Sequence, residues 1–275
     1  MTVAIARPGP TPTPLSRRLA AGVGGWAPAV VLTAALVALW QWAAKAGHLP
    51  ISIPAPSAVW DEFFRKKDTL WYHTQPTITA AAKGYVAAAV VAGLLSVMVV
   101  LWPRTAGTLY GAAVVVSSIP LIALTPILVL WLDRGDAVRT TVAALAGFFP
   151  VLVGCVQGLR STDMRTEDLF DTLSARRWQR FLYLRLPAAL PFVFAGLKAA
   201  AASSVLGAII AEWTGGGGTR GLGQMMTNAL FGFNVPQTWL TIVTAAVLAV
   251  GAYVVVAIAE KVVIRWDHAG VDVGA

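Results

Sequence analysis

Asp168-Leu-Phe-Asp-Thr-Leu-Ser-Ala-Arg-Arg-Trp-Gln-Arg-Phe-Leu-Tyr-Leu-Arg-Leu-Pro-Ala-Ala-Leu-Pro191 is a basic, amphipathic segment set between long apolar runs. Arg176, Arg177, Arg180 and Arg185 alternate with Trp178, Phe181, Leu182 and Leu184. Read as a helix over 166–184, Leu169, Phe170 and Leu173 share one side, and Trp178, Phe181 and Leu182 form a second apolar stripe. Arg176, Arg177 and Arg180 take the remaining surface. Asp168 and Asp171 fall near the helix N-terminus, where carboxylates complement the dipole. Pro187 and Pro191 are expected to end the segment and restart the chain as a new helix, because each fixes φ and lacks an N–H. A polar insert of this length between apolar spans is a place for something soluble to dock.

The rest of the chain is written for lipid. Only 12% of its 275 residues are charged, against about 25% in soluble domains. Residues 19–44, 84–103, 105–132, 140–159 and 221–259 contain no Asp, Glu, Lys or Arg, and 186–211 contain only Lys198. A span needs roughly 20 apolar residues to cross ~30 Å of hydrocarbon. Six spans are expected, near 27–46, 84–102, 112–131, 140–159, 189–211 and 238–261. The fold class is therefore all-α and integral to the membrane.

Basic residues orient these spans. With the N-terminus inside, the cytoplasmic segments carry twelve Lys and Arg residues and the opposite side seven, leaving Lys83 and Lys198 near span ends. That asymmetry favours both termini in the cytoplasm and puts the 163–187 loop there too. The net charge of +8 is thus mostly a topology feature. Scattered over loops, it does not make a nucleic-acid-binding face. Residues 1–25, rich in Pro, Thr and Arg near their start, read as a disordered cytoplasmic tail, 26–265 as the membrane domain and 266–275 as a second tail. A cleaved signal peptide does not fit, because the following apolar run is too long. Cys155, the sole cysteine, lies in the fourth span and reads as a small buried residue.

Chemistry of the enzymatic kind is not written here. No Gly-x-x-x-x-Gly-Lys-Ser/Thr loop occurs, and the glycine run 215–218 is followed by Thr219-Arg220. His48, His73 and His268 lack zinc-ligand spacing. No catalytic residue, metal site or cofactor is expected on this chain.

The order Thr172-Leu173-Ser174-Ala175-x-Arg177-Trp178, then Leu186-Pro187-x-x-x-Pro191, then Gly196-Leu197-Lys198, resembles the cytoplasmic loop of ABC-importer permeases. The branch it is similar to imports nitrate, sulfonates, taurine or pyrimidine-type vitamin precursors. The similarity spans roughly residues 50–262, and 168–198 is its specific part. It implies a type I permease fold whose coupling helix receives a separate ATPase subunit. ATP and Mg would be bound by that partner, a binding protein outside the membrane would deliver the solute, and a second permease copy would complete the pore. Asp168, Asp171, Ser174, Ala175, Arg177, Trp178, Phe181 and Pro187 are the residues it assigns to coupling. Two departures stand out: Asp168-Leu169-Phe170 replaces the family's Glu-Ala-Ala, and Ser174 replaces its glycine. Glycine there allows a positive φ, which serine takes reluctantly, so the expected outcomes are a less acute bend or Ser174 capping a second helix by accepting an N–H from Arg176 or Arg177.

Outside the loop, His48-Leu-Pro-Ile-Ser-Ile-Pro-Ala-Pro-Ser57 resembles the family's Pro-Pro-Ser segment, with Ser57 expected to cap an amphipathic helix carrying Trp60, Phe63, Phe64 and Trp71. That helix fits an interfacial collar or a binding-protein contact. Ser117-Ser-Ile-Pro-Leu-Ile-Ala-Leu-Thr-Pro126 breaks the third span at both prolines. Freed carbonyls at membrane depth need protein or a wet cavity, so Ser117, Pro120, Thr125 and Pro126 are candidates for the translocation path, against a plain proline kink. Ser203, Ser204 and Glu212 join that set. Helix packing explains the serines equally well, and a headgroup position explains the acid. Lys198 is expected to snorkel inward.

An ion-gradient-driven secondary transporter is the competing class. Such proteins often carry inverted repeats and mid-membrane ion sites, and residues 27–131 and 140–261 show neither a convincing repeat nor a mid-span acid. A membrane scaffold would leave the amphipathic loop unexplained. The lipid surface remains open as that loop's partner, with arginines snorkelling and Trp178 at the headgroups.

Overall fold

The computed structural model describes residues 15–264, and every element in them is helical. The chain divides into two compact units, Met1–Trp60 and Asp61–Ala275. In the first, α1 (Leu15–Lys45) begins inside the stretch expected to be a tail, so residues 15–25 are helical. Residues 1–14 and the expected tail 266–275 lie outside the described residues. Ser57 is not a helix cap. Its N–H donates to Gln41 Oε1 at 3.0 Å and its Oγ accepts from Gln41 Nε2 at 3.0 Å. Pro56 instead starts α2 (Pro56–Leu101), since a residue with fixed φ and no N–H suits the first helical position.

The amphipathic helix and the second span, expected as separate pieces, are one helix kinked at Lys66 (φ −119°, ψ 18°). Pro76 does not stop it. A proline leaves the carbonyl four residues back without its donor, and the orphan here, Tyr72 O, accepts from Arg220 Nη2 at 3.2 Å. The third span is broken once, not twice. α3 (Pro103–Ser117) and α4 (Leu121–Leu132) meet at 93° across Ser118–Pro120. Pro126 stays inside α4, where it removes a single helical bond.

The core of the second unit is the antiparallel pair α5 (Asp136–Leu159) and α8 (Leu186–Trp213). Small residues make it possible. A Cβ on Gly154 would lie 2.9 Å from Gly196 Cα, and one on Gly158 would lie 2.7 Å from Ala189 O. Without a hydrophobic drive between helices in lipid, such close backbone approach is what holds spans together. α2 joins the pair at Gly84, whose Cβ would be 2.8 Å from Thr140 O. The charge-free window 221–259 holds two helices rather than one, α9 (Leu222–Phe231) and α10 (Val235–Val263). The turn between them puts Phe233 at φ 52°, and Asn234 caps α10 by accepting Gln237 N–H at 3.1 Å. Among the described residues five helical stretches are long and apolar enough to cross a membrane, and the bent α3–α4 pair makes a sixth if it is one span.

Between α5 and α8 the chain forms α6 (Met164–Thr172), α7 (Arg177–Arg180) and a π-helical turn, Phe181–Arg185. The prolines do not end this segment. The π turn, closed by Leu186 N–H to Phe181 O, carries the chain straight into α8 with Pro187 in its first turn. A widened turn absorbs the missing proline N–H without a break.

Candidate functional site

The 163–187 segment is built around a tight bend. α6 is capped by Asp163, whose side chain accepts Arg165 N–H. At its far end Leu173 N–H donates to Leu169 O at 3.1 Å and Ala175 N–H to Phe170 O at 3.0 Å. Ser174 takes φ +52°. Neither expected outcome holds: Ser174 takes the left-handed conformation a glycine would take, because the Ala175 N–H to Phe170 O and Leu173 N–H to Leu169 O bonds close a tight turn there, and it caps nothing. The second helix starts at Arg176, whose N–H donates to Gln179 Oε1 at 2.8 Å. An ion pair from Arg180 to Asp171 closes the bend, and Arg180 Nε donates to Ala175 O at 3.2 Å. Arg185 reaches back to Glu167 at 3.0 Å, and Thr162 Oγ1 donates to the same carboxylate at 2.7 Å. That hydroxyl, with Arg185 beside it, holds the Glu167 carboxyl below the usual carboxylate range despite opposing desolvation.

These internal pairs leave an apolar face free. Leu169, Leu173, Trp178, Leu182 and Tyr183 are exposed, and the Trp178 and Tyr183 rings stand 6.5 Å apart. Phe181 is half-buried, and Asp168, Asp171 and Arg177 are exposed. Tyr183 was missed at the level of sequence because the π turn rotates it relative to an α-helical register.

Glu212 lies at the opposite end of the α5–α8 pair and is fully buried, not set among headgroups. Thr77 Oγ1 donates to it at 2.8 Å, Gly223 N–H at 3.0 Å, and Arg139 Nη1 stands 3.7 Å away. Arg139 Nη1 also donates to Arg220 O at 2.9 Å. Arg220 stacks 3.8 Å over the Tyr72 ring. His73 Nδ1 lies 3.2 Å from Gly221 N. Gly221, at φ +138°, rests directly on the Glu212 carboxylate, so any Cβ there would collide with it. The hub ties α2, α5, α8 and the glycine-rich turn 214–221 together. Thr77, Arg139 and His73 had not been singled out. Counting by fours from Gly196 through Ala200, Ser204 and Ala208 reaches Glu212, which places the acid on the packing stripe of α8.

The other path candidates separate. Ser204 is buried against α5, where a Cβ on Gly147 would strike its Oγ, and that hydroxyl has no hydrogen-bond partner among the described residues. Thr125 is buried and donates to Leu121 O at 2.9 Å, Ser203 is half-buried, and Pro126 is exposed. Lys198 lies near the C-terminal end of α10. It pairs with Glu260 of α10 at 2.7 Å. Ser117, beside the break at Pro120, lines a cavity of about 350 Å³ between the α3–α4 break and α5. Among the described residues no cluster of His, Cys, Asp or Glu is arranged to hold a metal.

Residues 84–266 match the family described as binding-protein-dependent transport system inner membrane component. A probable ABC transporter permease protein of Haemophilus influenzae is 34% identical over 202 residues, covering 73% of this chain and 81% of that protein. The formylaminopyrimidine transport permease protein of Halalkalibacterium halodurans is 28% identical, over 84% of this chain and 92% of its own. The riboflavin transport system permease protein of Chloroflexus aurantiacus is 29% identical, over 84% and 87%. With that family match the ion-gradient reading falls away. This chain belongs to the binding-protein-dependent transport system inner membrane components, as a membrane-spanning permease subunit of an ABC importer with the type I fold.

Proposed function

We propose that this subunit works as one of two copies, with ATPase subunits docked on residues 164–185 and a binding protein delivering solute at the other membrane face. Both termini then lie in the cytoplasm. The observation that carries the reading is the exposed row Leu169, Leu173, Trp178, Leu182 and Tyr183, held out by internal ion pairs at the end of the α5–α8 pair away from the Glu212 hub. A face rigidified by its own charges loses little side-chain freedom on docking. ATP and Mg belong to the partner, and ATP-driven closure of the ATPase pair would rock this segment and switch the pore between its two openings. No residue of this chain takes a catalytic part.

For the solute we propose a neutral nitrogen heterocycle of the pyrimidine or vitamin-precursor class. Support comes from the formylaminopyrimidine and riboflavin permeases, each similar over 84% of this chain. The aliphatic sulfonate relatives are similar at 25%. Uptake of a labelled aminopyrimidine and of labelled methanesulfonate, in cells with and without this chain, separates the two. Chain-dependent uptake of methanesulfonate alone would overturn the solute reading. For orientation, single cysteines on a Cys155→Ser background are expected to be labelled from inside at position 176 and from outside at position 217. Outside labelling at 176 would reverse the topology.

A further inference from the structure

The cavity at the α3–α4 break has a wall chemistry that the packing around it does not use. Its volume is about 350 Å³, at the lower end of the roughly 300–1,000 Å³ of small-molecule pockets. Phe148 and Phe149 of α5 contribute aromatic surface, and no ionisable side chain lines it. Its polar groups come mostly from interrupted backbone. Pro150 has no N–H, so the carbonyl of Ala146, also in the wall, loses its helical donor. At the break, no hydrogen bond within the described residues reaches the carbonyls of Ser117 and Ile119 or the N–H of Leu121. Ser117 Oγ donates to Val114 O at 2.8 Å and keeps its lone pairs free. Carbonyls at membrane depth that nothing satisfies are costly unless water or a ligand meets them.

We propose that this cavity is a solute station inside the permease, shaped for one neutral, planar, N–H-donating heterocycle. This rests on the heterocycle reading of the transported solute and assigns its site. The wall residues Ser117, Ile119 and Ala146 bring three backbone carbonyls without helical donors and one hydroxyl against the N–H of Leu121, and no cationic side chain lines the cavity. An anionic sulfonate or nitrate offers only acceptors and would meet acceptors. A ring bearing an amino or amide edge supplies donors to the Ser117, Ile119 and Ala146 carbonyls, accepts from Leu121 N–H, and lays its face on Phe148 or Phe149. Ser117 sits at an exposed rim position, so a larger side chain there fills the space without entering the helix core.

The test uses the assembled permease–ATPase complex in nanodiscs without binding protein, with a labelled 4-aminopyrimidine as probe. Saturable binding is expected, weakened at least tenfold by Ser117→Phe and about threefold by Ser117→Ala, and not displaced by excess methanesulfonate. Basal ATP hydrolysis by each variant reports assembly independently. Equal pyrimidine binding and uptake by wild type and Ser117→Phe, at matched membrane levels, overturns the station while leaving heterocycle import standing. Chain-dependent uptake of methanesulfonate with no pyrimidine uptake overturns the import reading, and the station with it.

Discussion

Thr77 Oγ1 donates to Glu212 Oε1 at 2.8 Å and lies 2.9 Å from Oε2, joining residues 135 positions apart in the chain. Arg139 stands 3.7 Å from the same carboxylate, and Gly223 N–H completes its shell. Removing one partner of a buried charge pair costs about 3–5 kcal/mol when the other charge is left alone, and less here, where Arg139 keeps Asp136 at 3.9 Å and Arg220 O at 2.9 Å. Glu212→Ala is therefore expected to lower thermal stability in detergent by less than that figure, with Glu212→Ala/Arg139→Leu recovering part of it. Thr77→Val should cost about 1 kcal/mol, as a single lost hydrogen bond does. A Glu212→Ala protein as stable as wild type would remove the hub from its structural role.

Ser204 and Gly147 test packing against transport. A Cβ on Gly147 would strike Ser204 Oγ, which is buried without a hydrogen-bond partner among the described residues. Gly147→Ala alone should destabilise the α5–α8 pair by about 1–3 kcal/mol through overpacking. Gly147→Ala/Ser204→Ala should recover most of that loss. Ser204→Ala alone is expected to leave uptake unchanged, whereas a residue contacting solute would raise KM.

At the bend, Ser174 holds a left-handed conformation that costs an L-residue roughly 1 kcal/mol. Ser174→Gly should stabilise the 164–185 segment, seen as slower proteolysis of isolated membranes. Ser174→Val should loosen it and reduce ATPase co-purification.

On the exposed face, truncating a central aromatic anchor commonly costs about 2 kcal/mol or more. Trp178→Ala is expected to reduce ATPase recovery and abolish uptake, with membrane insertion unchanged. Arg180 has a different task from a rim charge, since it pairs with Asp171 and bonds Ala175 O. Arg180→Ala should therefore increase proteolysis of the loop as well as weaken docking. If the segment lies on lipid instead, ATPase recovery will ignore Trp178→Ala.

Glu167 links the loop to pH. Its folded pKa is depressed by the Thr162 hydroxyl and by Arg185. Its contribution to stability is present above the ordinary carboxylate pKa and is lost as pH falls through the depressed value. Hydrogen exchange of residues 162–172 should quicken across that acidic window, and Glu167→Gln should flatten the dependence.

Charge-free windows and the basic insert made the membrane class, the apolar spans and the amphipathic segment between α5 and α8 legible, because hydropathy and charge are local properties that lipid and water sort residue by residue. The same reading stopped where a partner distant in sequence decided the outcome. Pro76 leaves the Tyr72 carbonyl without its helical donor, and the distant Arg220 supplies one in its place. Pro187 looked like a stop, and a π turn absorbed it. Glu212 looked like a headgroup acid until α2 and α5 closed over it. Apolar patterning determined which stretches enter the membrane. Only the tertiary structure decided which orphaned backbone and buried polar groups find partners and which, as at the α3–α4 break, find none among the described residues, because hydrogen bonds between distant elements exist only once packing brings those elements together.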